Sequence, residues 1–213
     1  MTEGVERGAG GLGEGESPWV ELDLGASIWE RFYTPSPLVL IGTREGDGYD
    51  LAPKHMAFPM GWENYFGFVC TPNHSTYHNV IEWEGFGVSY PRPDQLLLTS
   101  LAALGRDTPP GAGAPGTTFL PVEAASSVEG VLLQGAYAQI ECTLERIVDG
   151  FGPNSLIIGR ACRARISPDA LRSSEIDDGD LVRRAPLLTY LYPGRYGIIG
   201  ETHPFPFPAD FRK

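Results

Sequence analysis

PLVLIGTREGDGYDLAPKHMAFPMGWENYFGFVCTPNHSTYHN, residues 37–79, is the stretch on which the reading of this chain turns. It opens on a near-continuous apolar run at 38–43 (LVLIGT), the pattern of a buried strand. Glu45-Gly46-Asp47-Gly48 follows as a hairpin turn signal, so residues 49–53 read as the partner strand and 65–70 (YFGFVC) as the next. Between 75 and 83 the period becomes helical: Tyr77, Val80, Ile81 and Trp83 can share one side, with Gly85 as the expected stop. Residues 86–90 (FGVSY) return to strand.

Working outward, residues 1–17 have few apolar side chains and much glycine, which predicts a disordered lead. Over 18–33 Trp19, Leu22, Leu24, Ile28, Trp29 and Phe32 return among acids, as a leading strand or arm packed on the same body or on a second subunit. Asp94 after Pro93, then strong helix formers and Gly105, predict a helix over 94–104. Residues 106–116 (RDTPPGAGAPG) read as a Pro/Gly flap. A long alternating strand at 136–148 turns at Asp149-Gly150 and pairs with 155–166; after a short polar connection, 187–191 and 196–199 close the pattern, and the proline-rich 202–213 is extended. The sum is about seven or eight mainly antiparallel strands with two or more short helices, and the mainly β architecture that handles so many edges is a small closed Greek-key barrel or a Greek-key split β-barrel. One domain over 18–213 is expected.

Composition removes several function classes. A formal charge of −11 with no basic run argues against nucleic acid or an anionic membrane surface as partner. No apolar run reaches membrane-spanning length and the N-terminus lacks signal-peptide character, so a cytoplasmic location is expected. Cys70, Cys142 and Cys162 are too far apart for a disulfide framework or a zinc site and read as buried structural thiols. Glu141, Glu145 and the Asp177-Asp178 pair have no histidines at ligand spacing, so no metal is expected. The glycines at 8–15 follow no strand and make no dinucleotide fingerprint.

Residues 36–44 (SPLVLIGTR), 48–53 (GYDLAP), 75–80 (STYHNV) and 84–86 (EGF) resemble, in order and spacing, the flavin reductase-like FMN-binding split-barrel family, which includes flavoredoxins. That family shows a strand ending in Thr-Thr or Gly-Thr, a hairpin Asp-Gly-x-x-Asn-Leu-Ala-Pro-x-Ser-x-Phe, and a helix start His-Thr-x-x-Asn-Ile followed by Gly-x-Phe-Val-Val-Asn. Stretches 136–142, 156–159, 186–188 and 196–201 resemble its closing strands, so the likeness spans residues 36–201. Three departures stand out: His55 replaces the hairpin serine, Asp50 replaces the asparagine, and Ser75 occupies the position of the histidine, with His74 one residue earlier.

The resemblance implies a homodimer that binds FMN near the subunit interface, takes hydride from NADH or NADPH onto flavin N5, and serves a redox partner protein, diffusible flavin or another acceptor. It implies cofactor-binding roles for Thr43, Ala52, Pro53, Lys54, His55, Met56, Ser75, Thr76 and Asn79. In chemical terms, Ser75, Thr76 and Asn79 can gather phosphate donors at a helix start, and the irregular hairpin exit 52–56 can offer backbone N–H groups to the ring. Lys54 at the N1–O2 edge would stabilise anionic reduced flavin, and His55 can donate to the flavin or gate the nicotinamide side. Arg44, Arg92 and Arg195 are candidates for the nucleotide phosphates, and Tyr196 and Trp62 for ring stacking. Plainer roles remain open beside these: Asn73 or Ser75 as a simple helix cap, Lys54 as a solvated surface residue, His55 as a structural hydrogen-bonder, His78 facing solvent, and the arginines in surface ion pairs. Two other functions also stay open, a flavin-binding or redox-sensing barrel without turnover, motivated by His55, and a related barrel holding pyridoxal phosphate or a deazaflavin.

Overall fold

The computed structural model describes residues 18–104 and 119–208. The lead at 1–17, the flap at 106–116 and the end of the tail at 209–213 lie outside the described residues. In chain order the strands and helices are β1 (Thr34–Pro37), β2 (Val39–Glu45), β3 (Gly48–Lys54), β4 (Ala57–Met60), β5 (Tyr65–Cys70), α1 (Ser75–Trp83), β6 (Gly85–Tyr90), α2 (Leu96–Leu101), β7 (Val122–Ala124), β8 (Val131–Leu133), β9 (Ala138–Phe151), β10 (Asn154–Ile166), α3 (Asp178–Arg184), β11 (Leu187–Tyr192) and β12 (Arg195–Ile199).

Seven strands form one antiparallel sheet in the order β3-β2-β6-β9-β10-β5-β4. Its two edge strands, β3 and β4, are consecutive in the chain and separated only by His55 and Met56. Two residues span only about 7 Å, so the sheet has to curl until its edges meet at that corner. The result is a barrel split along one side, as expected. Inside it Val39, Ile41, Phe66, Phe68, Val80, Phe86, Val88 and Ile157 form the main core. Phe68 meets Phe86 edge-on at 5.2 Å, and the Phe86 ring occupies the space that a Cβ on Gly159 would take, 2.5 Å from that position.

Two smaller sheets complete the fold, β1-β11-β12 and the hairpin β7-β8. The hairpin lies against the backbone of the large sheet. Gly42 of β2 and Gly87 of β6 are ladder partners, and a Cβ on them would stand 1.9 Å and 2.6 Å from the Val131 carbonyl oxygen. No side chain other than hydrogen permits that approach.

Several sequence expectations are corrected. Residues 18–33 hold no strand, only a short 3-10 turn at Ile28–Glu30, and Trp19 and Trp29 are exposed. The helix expected over 94–104 is a 3-10 turn, Pro93–Gln95, followed by α2, because the Arg92 N–H is taken by the Gln95 side chain at 3.0 Å and the chain enters through that closed turn instead of an Asp94 cap. β9 runs through Asp149-Gly150 to Phe151, and the reversal falls at Gly152-Pro153; a register shift between Asn154 and Leu156 absorbs the extra residues, with Gly150 at φ +102°. α1 ends on Glu84 at φ +52°, while Gly85 is needed where Val128 packs 2.9 Å from a would-be Cβ. Strands β1, β4, β7 and β8 and helix α3 were not anticipated; the strands are short or proline-bearing and pairing, not local pattern, makes them, whereas α3 carries a local signal, the Asp177 carboxylate accepting from the Gly179 and Asp180 N–H groups.

Candidate functional site

The site is built at the corner where the barrel splits. Because β3 and β4 part there, backbone groups around residues 52–56 are not all in a ladder, although the Met56 carbonyl accepts from Val69 N–H at 2.8 Å. Lys54, the last residue of β3, turns inward and is only 7% exposed. Its ammonium reaches across the split to donate to the Cys70 sulfur at 3.3 Å. Cys70 ends β5, and a tight turn, His74 N–H to Thr71 carbonyl at 3.0 Å, leads from it into α1. A buried cation therefore stands beside the segment that opens α1, and the solvated-surface reading of Lys54 falls away.

At that helix start the N-cap residue is His74, and it makes no side-chain cap. Neither Asn73 nor Ser75 caps the helix, so its first N–H groups remain outside any side-chain cap. Thr76 donates its hydroxyl to Asp50 Oδ2 at 2.9 Å, and Asn79 donates its amide to Thr43 Oγ1 at 3.0 Å. All four are buried, Thr43 completely. The shown role of Thr43, Thr76 and Asn79 is thus to seat α1 on β2 and β3; of the three expected phosphate donors, Ser75 is the half-buried one that makes no side-chain bond among the described residues. Asp50, in place of the family asparagine, supplies an acceptor for a hydroxyl that an amide would serve less fully.

His55 faces the other side of the corner. Its ring lies 4.7 Å from Tyr190 and 5.5 Å from Tyr192, nearly parallel to the latter at 17°. A cleft of about 330 Å³ opens here, lined by Leu38, Pro53, His55 and Tyr190, by Leu96, Thr99 and Ser100 of the α2 region, and by Arg195 and Tyr196. The structure so joins His55, Pro53, Arg195 and Tyr196, which are far apart in sequence, while Ala52 packs in the sheet and Met56 is exposed at the corner. Tyr190 and Tyr192 were missed; their two-residue spacing marks one strand face, but nothing local says that His55 lies on it.

Other candidates stand elsewhere. Arg44 is held at the β2–β3 turn by the Gly46 carbonyl at 2.7 Å and lies over the Tyr49 and Trp83 rings. Trp62 sits at the β4–β5 tip, 98% exposed, at the opposite end of β4 from Met56. His78 is exposed, as expected. Arg92 forms a two-pronged pair with Asp169 at 3.0 and 2.7 Å, so both terminal nitrogens are committed and the residue is corrected to a structural clamp.

Hydrogen bonds from Arg92, then from Ser167, hold the Asp169 carboxyl at about 2, below its ordinary 3.8. A native value below the unfolded one favours the folded state wherever the carboxylate is ionised. The contribution is therefore complete above about 4 and is lost as pH falls toward 2. In thermal unfolding, Asp169→Asn is expected to melt below the unaltered protein at pH 7, with the gap closing between pH 4 and pH 2. A gap that stays constant across that range would contradict the clamp.

A curled antiparallel sheet, split at a hairpin exit and carrying one helix at the end of an adjoining strand, defines a split barrel. A family model described as the flavin reductase-like domain matches residues 31–199, and the chain belongs to that family of flavin-related oxidoreductase domains. No curated protein matches it. Among solved structures, 2-nitrobenzoate 2-nitroreductase of Pseudomonas fluorescens is similar at TM-score 0.73 and 17% identity, covering 91% of this chain and 99% of the other. Flavoredoxin of Desulfovibrio vulgaris is similar at 0.71 and 18%, covering 89% and 99%. An FMN-binding protein of Thermus thermophilus, with bound p-hydroxybenzaldehyde, is similar at 0.68 and 20%, covering 90% and 99%. At these identities the likeness is one of fold.

Proposed function

We propose that this chain binds FMN at the corner between β3 and β4 and works, as a homodimer, as an NAD(P)H-dependent flavin reductase of the flavoredoxin type. The observation that carries the reading is the buried Lys54 ammonium held at Cys70, from which a tight turn leads into the uncapped start of α1. The donor set fits the cofactor. A cation, the Ser75 hydroxyl and helix N-terminal N–H groups suit a phosphate, and the outer edge of β3 at 52–54 with the break at His55-Met56 suits the polar edge of a flat ring. Bound FMN supplies the hydride acceptor, so no side chain has to act as acid or base. Lys54 offsets negative charge, Thr76 and Asn79 hold α1 in place through Asp50 and Thr43, and His55 with Tyr190 walls the substrate side.

Exposed apolar side chains support the dimer. Trp19, Trp29, Tyr33, Ile198 and Phe205 are each more than half exposed on a single chain, which leaves large apolar side chains for a second copy to cover. The protein should sediment at twice its 23.1 kDa chain mass.

The test is spectroscopic. Purified protein titrated with FMN should quench flavin fluorescence and saturate, and anaerobic NADH or NADPH should bleach the bound flavin band. Absence of saturable binding defeats the proposal. Binding without bleaching by either nucleotide leaves a flavin-binding or redox-sensing protein instead.

A further inference from the structure

Within the cleft, one cation stands among aromatic walls. Arg195 makes no side-chain hydrogen bond or ion pair among the described residues, a state it shares with Arg31, Arg146 and Arg184, none of which lines the cleft. Tyr190 packs at a tilt against His55, whose ring stacks on Tyr192, and the Tyr190 hydroxyl also accepts the Gly194 N–H at 2.9 Å, which ties down the turn that presents Arg195 and Tyr196. His55 thus adds a ring to the wall that Tyr190 and Tyr192 form. The opposite wall is apolar through Leu96 and Leu38, with the Ser100 hydroxyl at its edge and the Thr99 hydroxyl turned back onto the Gln95 carbonyl at 2.9 Å.

We infer that this cleft takes a planar aromatic monocarboxylate, its ring against the Tyr196 and His55 side and its carboxylate on the Arg195 guanidinium. Three features select that class. The volume, about 330 Å³, is at the small end of the roughly 300–1,000 Å³ range of small-molecule sites and suits a single ring better than a whole dinucleotide. The charge is that of one guanidinium, whose fork matches one carboxylate in two-pronged fashion. On a chain of net charge −11, an arginine without a carboxylate partner beside a slot of rings favours an anion that brings its own apolar face. The inference depends on the proposed function only in treating the cleft as the substrate side of the flavin. The nicotinamide and the aromatic acid would occupy it in turn.

Calorimetric titration of the purified protein, with and without FMN, tests this using benzoate, benzamide and cyclohexanecarboxylate. Benzoate should bind about tenfold more tightly than benzamide, which lacks the charge, and than cyclohexanecarboxylate, which lacks the flat ring. Arg195→Gln should weaken benzoate about tenfold and leave benzamide unchanged, and Arg195→Lys should restore part of the loss. The inference is overturned if benzoate gives no heat, if benzamide binds as tightly, or if Arg195→Gln binds benzoate like the unaltered protein. Failure of FMN to bind while benzoate remains Arg195-dependent would strike the flavin reading alone; FMN binding without benzoate would strike this one alone.

Discussion

Lys54→Met should bind FMN about 10- to 100-fold more weakly than the unaltered protein, as read by quenching of flavin fluorescence. The size follows from the environment. A hydrogen bond to a charged group contributes about 1.5–3 kcal/mol, and this ammonium is withdrawn from bulk water, so its field is weakly screened. Methionine keeps the length and apolar stem of lysine, which limits the repacking beside Cys70. Riboflavin, which lacks the phosphate, distinguishes two positions for the charge. Its affinity should be unchanged if Lys54 acts with Ser75 at the phosphate. An equal loss for FMN and riboflavin would put the ammonium at the ring edge, and then the midpoint potential of the bound flavin should fall as well. If FMN binds Lys54→Met like the parent, the assignment of Lys54 is wrong.

Gly42→Ala is expected to lower the melting temperature by about 10 °C, measured by circular dichroism at neutral pH. The added Cβ would stand 1.9 Å from the Val131 carbonyl oxygen, and both partners are backbone. No rotamer change can relieve the contact, so either β8 lifts from β2 and β6 or the sheet deforms. Overpacking costs about 1–3 kcal/mol where side chains can yield; here the upper end applies. Gly46→Ala is the contrast. That glycine has open space around its would-be Cβ but sits at φ +55°, so its cost is conformational and should be only about 1 kcal/mol. Equal effects of the two substitutions would show that steric approach of β8 is not what Gly42 provides.

Much of the central sheet was legible because its strands carry their own signals. The apolar run at 39–41, the Gly46–Gly48 turn and the alternation along β9 and β10 are local, and burial follows from them. Helix α1 was legible from its period, yet not its cap: His74 holds that place by backbone conformation, with φ −93° and ψ 144°, and no side-chain rule identifies it. The geometry of the candidate site was half legible. Ser75 and Lys54 lie in recognisable motifs, but Thr76 and Asn79 share those motifs and are committed to Asp50 and Thr43, a distinction that depends on which way the helix is rolled against the hairpin. Arg92 had the right chemistry for a phosphate and found Asp169, 77 residues away, instead.

Hydrophobic runs and turns by themselves determined a mainly β barrel, because strand period and turn chemistry are properties of neighbours in sequence, and the motif residues over 36–201 added the resemblance to the flavin reductase-like family that the family model matches. What only the tertiary structure decided is where the sheet edges meet. That closure brings Lys54 to Cys70 and His55 to Tyr190 and Tyr192, and draws Arg195 from the far end of the chain into the same cleft. Contacts of this kind depend on the curl of a seven-stranded sheet, a collective property of its twist and pairing that no short window of residues encodes.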